Sequence, residues 1–332
     1  MPQPSYPFAN IRIKVREKSL LSREKILRLA GAATAQEAMG LLADYGYPGA
    51  EDTKPSSFEK CISAELRNVY SFIWEITPEP EVTNLFFLQL DYHNLKAILK
   101  SDALGVGAAQ NMLVNNGTID PTAMFEAVKE KRYDFFPPEM KAALTEIDRR
   151  FAVKVDVSLI GLLLDGAYAR QIERELKDVK EEFVHRYFRA LFDFINVSAL
   201  IRLKRLDAGR ELMERTLLPG GDLSFDYLRE AYELSMEEML NLLEKSVYQK
   251  EMTPGLEHFR QTGSFAVLIK ARNDYLIRLC LTYRKDMFSI APVLCYLVGK
   301  MRETQAVRMA MLAKLNNISG REIAEILPET IE

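Results

Sequence analysis

The sequence predicts an all-α protein, and three observations carry that expectation. Helix-capping patterns recur along the whole chain, apolar residues return at three-to-four spacing with charges between them, and alternating strand-like runs are nearly absent. Boxes of the form Ser/Thr-x-x-Glu stand at Thr34…Glu37, Ser56…Glu59, Ser235…Glu238 and Ser319…Glu322. In such a box the hydroxyl accepts from an orphan backbone N–H while the glutamate reaches back to the cap. Asp120-Pro121 and Thr253-Pro254 place a capping side chain ahead of a proline at the first helical position. The stretch AYARQIERELKDVKEEFVHRYFRALF, residues 167–192, carries apolar residues at three-to-four spacing with charges between them. One run alternates, Phe151, Val153, Val155, Val157 and Leu159. With no partner strand elsewhere, it is expected to be an extended link or a helix start.

A chain of 332 residues, 48% hydrophobic, can bury a sizeable core in two or three domains or one large body. Lys+Arg 44 against Asp+Glu 47 leaves a net charge of −3, which argues against a nucleic-acid partner. Cys61, Cys280 and Cys295 are odd in number and lack C-x-x-C spacing, so neither a disulfide framework nor a structural zinc site is expected. The start MPQPSYPFANIRIK has no signal-peptide pattern. The longest uncharged run near the C-terminus, MFSIAPVLCYLVG at 287–299, is shorter than the roughly 20 residues of a membrane span and reads as a buried core helix.

The chain also repeats itself. DYHNLKAILK (91–100) and DFINVSALIR (193–202) share the pattern Asp-x-x-Asn-aliphatic-x-Ala-aliphatic-aliphatic-base. After the first comes Gly117-Thr118-Ile119-Asp120 and a helix with Met124 and Ala127; after the second, Gly221-Asp222-Leu223-Ser224 and a helix with Leu228 and Ala231. In both, the cap lies three residues past the glycine and the matched apolar positions seven and ten past it. Upstream, Glu59 and Asp165 stand at similar distances before the two asparagines. A weaker third copy runs from Asp274 in RNDYLIRLC to Ala306-Val307-Arg308, with the Ser319…Glu322 helix after it. Asn10-Ile11-Arg12 resembles the motif once more, with Thr34 opening the helix that follows. The expected organisation is an N-terminal half-module (1–52) and helical modules at 53–149, 150–255 and 256–332, the last closing against the half-module.

Within the repeat, Asp91 and Asn94 are three apart and share a helix face, as do Asp193 and Asn196. The same stripes carry Leu90, Ala97 and Ile98, and Phe192, Ala199 and Leu200. A buried amide left unpaired costs about 1–3 kcal/mol, so each pair is expected to be structural, tying its helix to a neighbouring segment. A contact surface repeated around an axis is the sharper alternative.

The chemical inventory is sparse. There is no G-x-x-x-x-G-K-[ST] loop, no H-E-x-x-H and no G-x-S-x-G elbow. His93, His185 and His258 stand apart from one another and from the cysteines, and Gly220-Gly221 reads as a turn before a helix cap. No catalytic residue, cofactor or metal is assigned. The run RLKRLDAGRELMER, 202–215, mixes signs at helical spacing and reads as a solvated face. The aromatics Tyr6, Phe8, Tyr45 and Tyr47 are core residues by default or, alternatively, a docking edge.

DYHNLKAILK, preceded by SSFEKCISAELRNVY, resembles the signature of the C subunits of bacterial and archaeal V/A-type ATPases, whose eukaryotic counterparts are the d subunits. The opening YPFANIRIKVREKSLLSREKILRLAGAATAQEAMGLLADYGY is similar to that family's N-terminus at Asn10, Arg12, Leu20, Leu21 and Tyr47. Pro292 through Tyr296, Glu303 and Arg308 are similar to its C-terminal helices, although GKMRE stands where acidic residues usually follow the tyrosine. The resemblance implies three similar helical-bundle modules around a pseudo-threefold axis, in a funnel-like body. It implies a non-catalytic rotor subunit that seats on the membrane rotor ring, receives the central shaft and couples ATP turnover to proton or sodium movement. Peripheral attachment to the cytoplasmic side of the membrane follows from it. Shaft-facing candidates are Arg12, Arg16, Arg202 and Arg205, on the repeated helices or just beyond their ends. The residues by themselves leave two other readings open, a free-standing adaptor for partner helices and a helical enzyme with a scattered site.

Overall fold

The computed structural model describes residues 5–106, 113–327 and 330, and among these there is no β-strand. In chain order the helices are α1 (Tyr6–Glu17), α2 (Arg23–Gly31), α3 (Ala35–Asp44), α4 (Glu59–Ile76) and α5 (Pro80–Ala103), then α6 (Pro121–Lys129), α7 (Pro138–Phe151) and α8 (Val157–Glu175). The second half holds α9 (Glu182–Arg205), α10 (Arg210–Thr216), α11 (Phe225–Glu233), α12 (Met236–Leu243) and α13 (Gln249–Thr262), then α14 (Ala266–Tyr283), α15 (Ala291–Leu315) and α16 (Gly320–Ile326). The chain divides into two compact units, one of residues 1–80 with 250–332 and one of residues 81–249.

Several helix starts follow the capping chemistry. Ser235 and Glu238 form a complete box at α12, and Asp120, one residue before Pro121, accepts from the Ala123 N–H. Thr34 accepts from the Glu37 N–H, but the Glu37 carboxylate reaches one residue further back, to the Ala33 N–H at 2.7 Å. Ser319 Oγ lies 3.5 Å from the Glu322 N–H. Two starts differ from expectation. Ser56 sits in a 3₁₀ turn, Pro55–Ser57, and α4 begins after Phe58 without a side-chain cap. Pro254 lies inside α13 instead of opening a helix at Thr253. It stands in the second turn, where it forgoes a single bond to the Lys250 carbonyl, while Met252, Leu256 and Phe259 on either side of it are buried.

The long amphipathic stretch 167–192 is two helices. A 3₁₀ turn, Leu176–Asp178, ends α8, and α9 restarts at Glu182. The alternating run covers the last residue of α7, the link and the start of α8: Val153 in the link is 89% exposed, and Asp156 caps α8 through the Ser158 N–H.

In the first unit α15 is the axis, packed by α1, α2, α3, α4, α14 and α16. Every residue from Ala291 to Lys300 is buried, but the start of the uncharged run is not part of that core helix: the helix begins only at Ala291, and Phe288 is 81% exposed. In the second unit α5, α6, α7 and α8 share a core of Leu95, Met124, Leu144, Ile160 and Leu164. Edge contacts link Tyr92 to Tyr168 and Tyr168 to Phe192, and a tilted contact links Phe192 to Phe188. Among the described residues no helix is long and apolar enough to cross a membrane.

Candidate functional site

The repeated polar pairs are hydrogen-bonded clamps between a long helix and the loop that follows it. On α5, the Asn94 side chain donates to the Val114 carbonyl and accepts from the Val114 N–H, each at 2.9 Å. One turn earlier, Asp91 accepts from the Thr118 N–H (3.0 Å), the Thr118 hydroxyl (2.6 Å) and the Ile119 N–H (3.1 Å). On α9, Asn196 treats Leu218 in the same way, at 2.9 and 2.8 Å. Asp193 accepts from the Asp222 N–H (2.8 Å), the Leu223 N–H (3.1 Å) and the Tyr248 hydroxyl (2.9 Å). Asp91, Asn94, Asp193 and Asn196 are at most 1% exposed. A cap follows each clamped loop at once, Asp120 for α6 and Ser224 for α11, so a carboxylate on one helix positions the start of the next.

The two glycines of the repeat make room for these carboxylates. A Cβ on Gly117 would lie 2.0 Å from Asp91 Oδ1, and one on Gly221 would lie 2.0 Å from Asp193 Oδ1. Gly220, with φ +84°, is the turn residue of its pair. Sequence spacing located both glycines, but their steric role is visible only in three dimensions.

A third clamp joins the two ends of the chain. Glu303 on α15 accepts from the Leu21 N–H at 2.7 Å, and Ser22, the next residue, caps α2 through the Lys25 N–H. The Tyr47 hydroxyl donates to Glu303 at 2.8 Å, as Tyr248 does to Asp193. Ile26 and Leu29 then fall four and seven residues past the cap, as do Met124 and Ala127, and Leu228 and Ala231; all six are at most 1% exposed. The helix that answers the third copy is therefore α2, in place of the expected helix after Ser319. The helix opened by Thr34 is not the partner of Asn10 either: Asn10 Nδ2 donates to the Met287 and Ser289 carbonyls, at 2.9 and 3.0 Å.

The third clamp also contains an ion pair that was not anticipated. Lys300, three residues before Glu303 and 2% exposed, lies 2.9 Å from it and 2.8 Å from Glu65. Burial alone would depress the Lys300 ammonium, but the Glu303 and Glu65 carboxylates outweigh it and hold its pKa above the usual lysine range. Tyr47 is pushed well up by burial and by Glu303. In the sequence, GKMRE showed Lys300 and Glu303 at i, i+3 on a stripe with Tyr296 and Val307, the signal that marked the Asp–Asn pairs.

Two of the acids upstream of the repeated motifs, Asp165 and Glu59, meet bases on long helices. Asp165 on α8 pairs with Lys96 on α5, and Glu59 on α4 pairs with both ends of the Arg308 guanidinium on α15, at 2.6 and 3.0 Å. These pairs are partly exposed and set orientation more than stability. Asp274, the acid of the third copy, pairs with Lys270 on its own helix, α14.

Of the arginine candidates, Arg12 and Arg16 lie one turn apart on α1. Their guanidiniums stand over the Phe72 ring, at 5.1 and 4.7 Å from its centroid, and Arg12 also reaches Glu75 at 2.7 Å. Beside them Phe8, Ile11 and Val15 are 51%, 62% and 68% exposed, an apolar stripe that core-first reasoning missed. Tyr47, by contrast, is buried. Arg202 and Arg205 are exposed on the last turn of α9, in the other unit. Among the described residues no cluster of His, Cys, Asp or Glu could hold a metal ion.

Fold and clamps together define an all-helical protein in which three buried carboxylates, Asp91, Asp193 and Glu303, accept from backbone amides. The family model for the ATP synthase (C/AC39) subunit matches residues 9–326, and the chain belongs to that family, the C-type subunits of A/V-type ATPases. It is 28% identical to the C subunit of the A-type ATP synthase of Desulfurococcus sp. (strain SY), over 98% of this chain and 91% of that one. It is 23% identical to the C subunit of the A-type ATP synthase of Methanocaldococcus jannaschii, over 97% and 86%. It is 20% identical to the C subunit of the V-type sodium ATPase of Enterococcus hirae, over 96% and 97%.

Proposed function

We propose that this chain is the socket of a rotary ATPase: it links the central shaft to the membrane rotor ring and couples ATP hydrolysis or synthesis to ion translocation, with no catalytic group of its own. Family membership along residues 9–326 carries this reading. The relatives are named as parts of an A-type ATP synthase and of a V-type sodium ATPase, which supports an ion-translocating complex and leaves the ion open between them. A torque-bearing part needs stiffness, and the clamps suit that need. Each buries a charged or amide side chain against backbone groups, locking a loop and the next helix start to a long helix, and close-packed interiors deform little.

Shaft-facing residues are assigned to α1 in one unit and, separately, to the end of α9 in the other. On α1, exposed Phe8, Ile11 and Val15 stand beside Arg12 and Arg16, a mixture of apolar and charged groups suited to gripping a helix. The ring faces another surface, and the chain is held on the cytoplasmic side of the membrane through that contact. The tagged full chain should retain both shaft and ring subunits from detergent-solubilised membranes. Arg202→Glu with Arg205→Glu should weaken shaft binding by about tenfold or more, as for lost interface charges, with an unchanged helical circular dichroism spectrum. Recovery of helical partners without any ATPase component would instead indicate a free-standing adaptor.

A further inference from the structure

The three clamps neutralise a buried carboxylate in three different ways. In the first, Asp91 takes the Thr118 hydroxyl together with two N–H groups. In the third, Glu303 has a buried lysine, Lys300, three residues before it. At the matching place in the second clamp, three residues before Asp193, stands the buried Ala190. No internal cation is built there, and a second carboxylate is added instead. The Tyr248 hydroxyl oxygen lies 2.9 Å from Asp193 Oδ2 and 3.2 Å from Asp222 Oδ2.

A phenol has one hydrogen, and ionised carboxylates have none to give. Two short oxygen–oxygen contacts thus share one hydrogen while both aspartates are charged. A second hydrogen on one carboxyl completes the chain, running from that acid to the tyrosine oxygen and from the tyrosine to the other acid. Asp222 is exposed, with the Arg189 guanidinium 3.5 Å away. Asp193 is fully buried, so the proton belongs on Asp193. The exposed Glu173 of α8 also stands beside this loop, its Cβ 4.0 Å from where a Cβ on Gly220 would lie.

We propose that Asp193, Tyr248 and Asp222 form a proton-operated latch: one proton held between the two carboxylates through the tyrosine hydroxyl ties the Tyr248 segment and the loop before α11 onto α9, and its loss loosens that tie. The direction of titration agrees. Burial pushes the Asp193 carboxyl up to about 6, against the lowering effect of its N–H and hydroxyl donors. The latch therefore works between mildly acidic and neutral pH.

The test follows side-chain carboxyl carbons by NMR in the full chain from pH 3.5 to 8. Asp193 should titrate near pH 6, and Asp91, whose hydroxyl partner serves it alone, at lower pH. Asp222→Asn removes the competing charge at an exposed position, and the Asp193 midpoint should then fall by about one pH unit, a tenfold loss of proton affinity. Amide exchange at Asp222 and Leu223, corrected for its intrinsic pH dependence, should quicken several-fold from pH 5 to 7.5 in the wild type. An Asp193 midpoint near 4, a midpoint unmoved or raised by Asp222→Asn, or exchange that does not change with pH would each overturn the latch.

Discussion

Asn94 and Asn196 each satisfy both backbone groups of one loop residue, Val114 or Leu218, so an aliphatic replacement leaves two polar groups behind. Asn94→Leu or Asn196→Leu should destabilise the protein by about 1–3 kcal/mol in urea denaturation; unchanged midpoints would show that these bonds contribute nothing net. Gly117→Ala and Gly221→Ala should cost more, roughly 2–4 kcal/mol, because the new methyl displaces a buried carboxylate from its donors. Asp193 adds a pH dependence whose sign follows from its raised folded-state pKa. The folded chain binds that proton more tightly than the unfolded chain, so the stabilising contribution is full below the ordinary value of 3.8 and is lost as pH rises to about 6. Between pH 4.5 and 7.5 the wild type should lose roughly 2 kcal/mol relative to Asp193→Asn. A constant difference between the two proteins would contradict it.

At the scale of elements, capping chemistry and apolar periodicity made most helices legible. The ends were less so, and the reasons are specific. Ser56 carries the box pattern, but Pro55 opens a 3₁₀ turn there, and the helix starts only at Glu59. Val179 to Glu181 interrupt the amphipathic stretch 167–192, because the turn at Leu176–Asp178 keeps Leu176 buried while ending the helix. The Asp–Asn pairs were legible as structural because they broke apolar stripes. Lys300 and Glu303 break one in the same way, yet their partners Glu65, Leu21 and Tyr47 lie hundreds of residues away in sequence. Lys300→Met should therefore destabilise by roughly 3–5 kcal/mol, since it leaves Glu303 and Glu65 facing each other without a cation. Adding Glu303→Gln, which keeps an oxygen for the Leu21 N–H, should recover part of that loss. Strictly additive losses in the double variant would show that the two residues are not coupled.

At the scale of the whole molecule, the sequence showed the repeat but not how its third copy is completed. The cap that answers Glu303 is Ser22, at the other end of the chain, and no local spacing could reveal that pairing. The arginine pairs were visible as charges on repeated helices, whereas the exposed Phe8, Ile11 and Val15 beside Arg12 and Arg16 emerged only once burial was known. Joining Glu303 near one end of the chain to Leu21 and Tyr47 near the other would suit the load-bearing role proposed above. In the proposed role this protein transmits rotation and performs no nucleotide chemistry. The most direct test removes it from the complex and measures ATP hydrolysis and ion uptake together in membrane vesicles. Hydrolysis by the remaining catalytic head should persist while nucleotide-driven ion movement disappears, and adding back the wild-type chain should restore it. Fully coupled ion movement without this chain would contradict the claim.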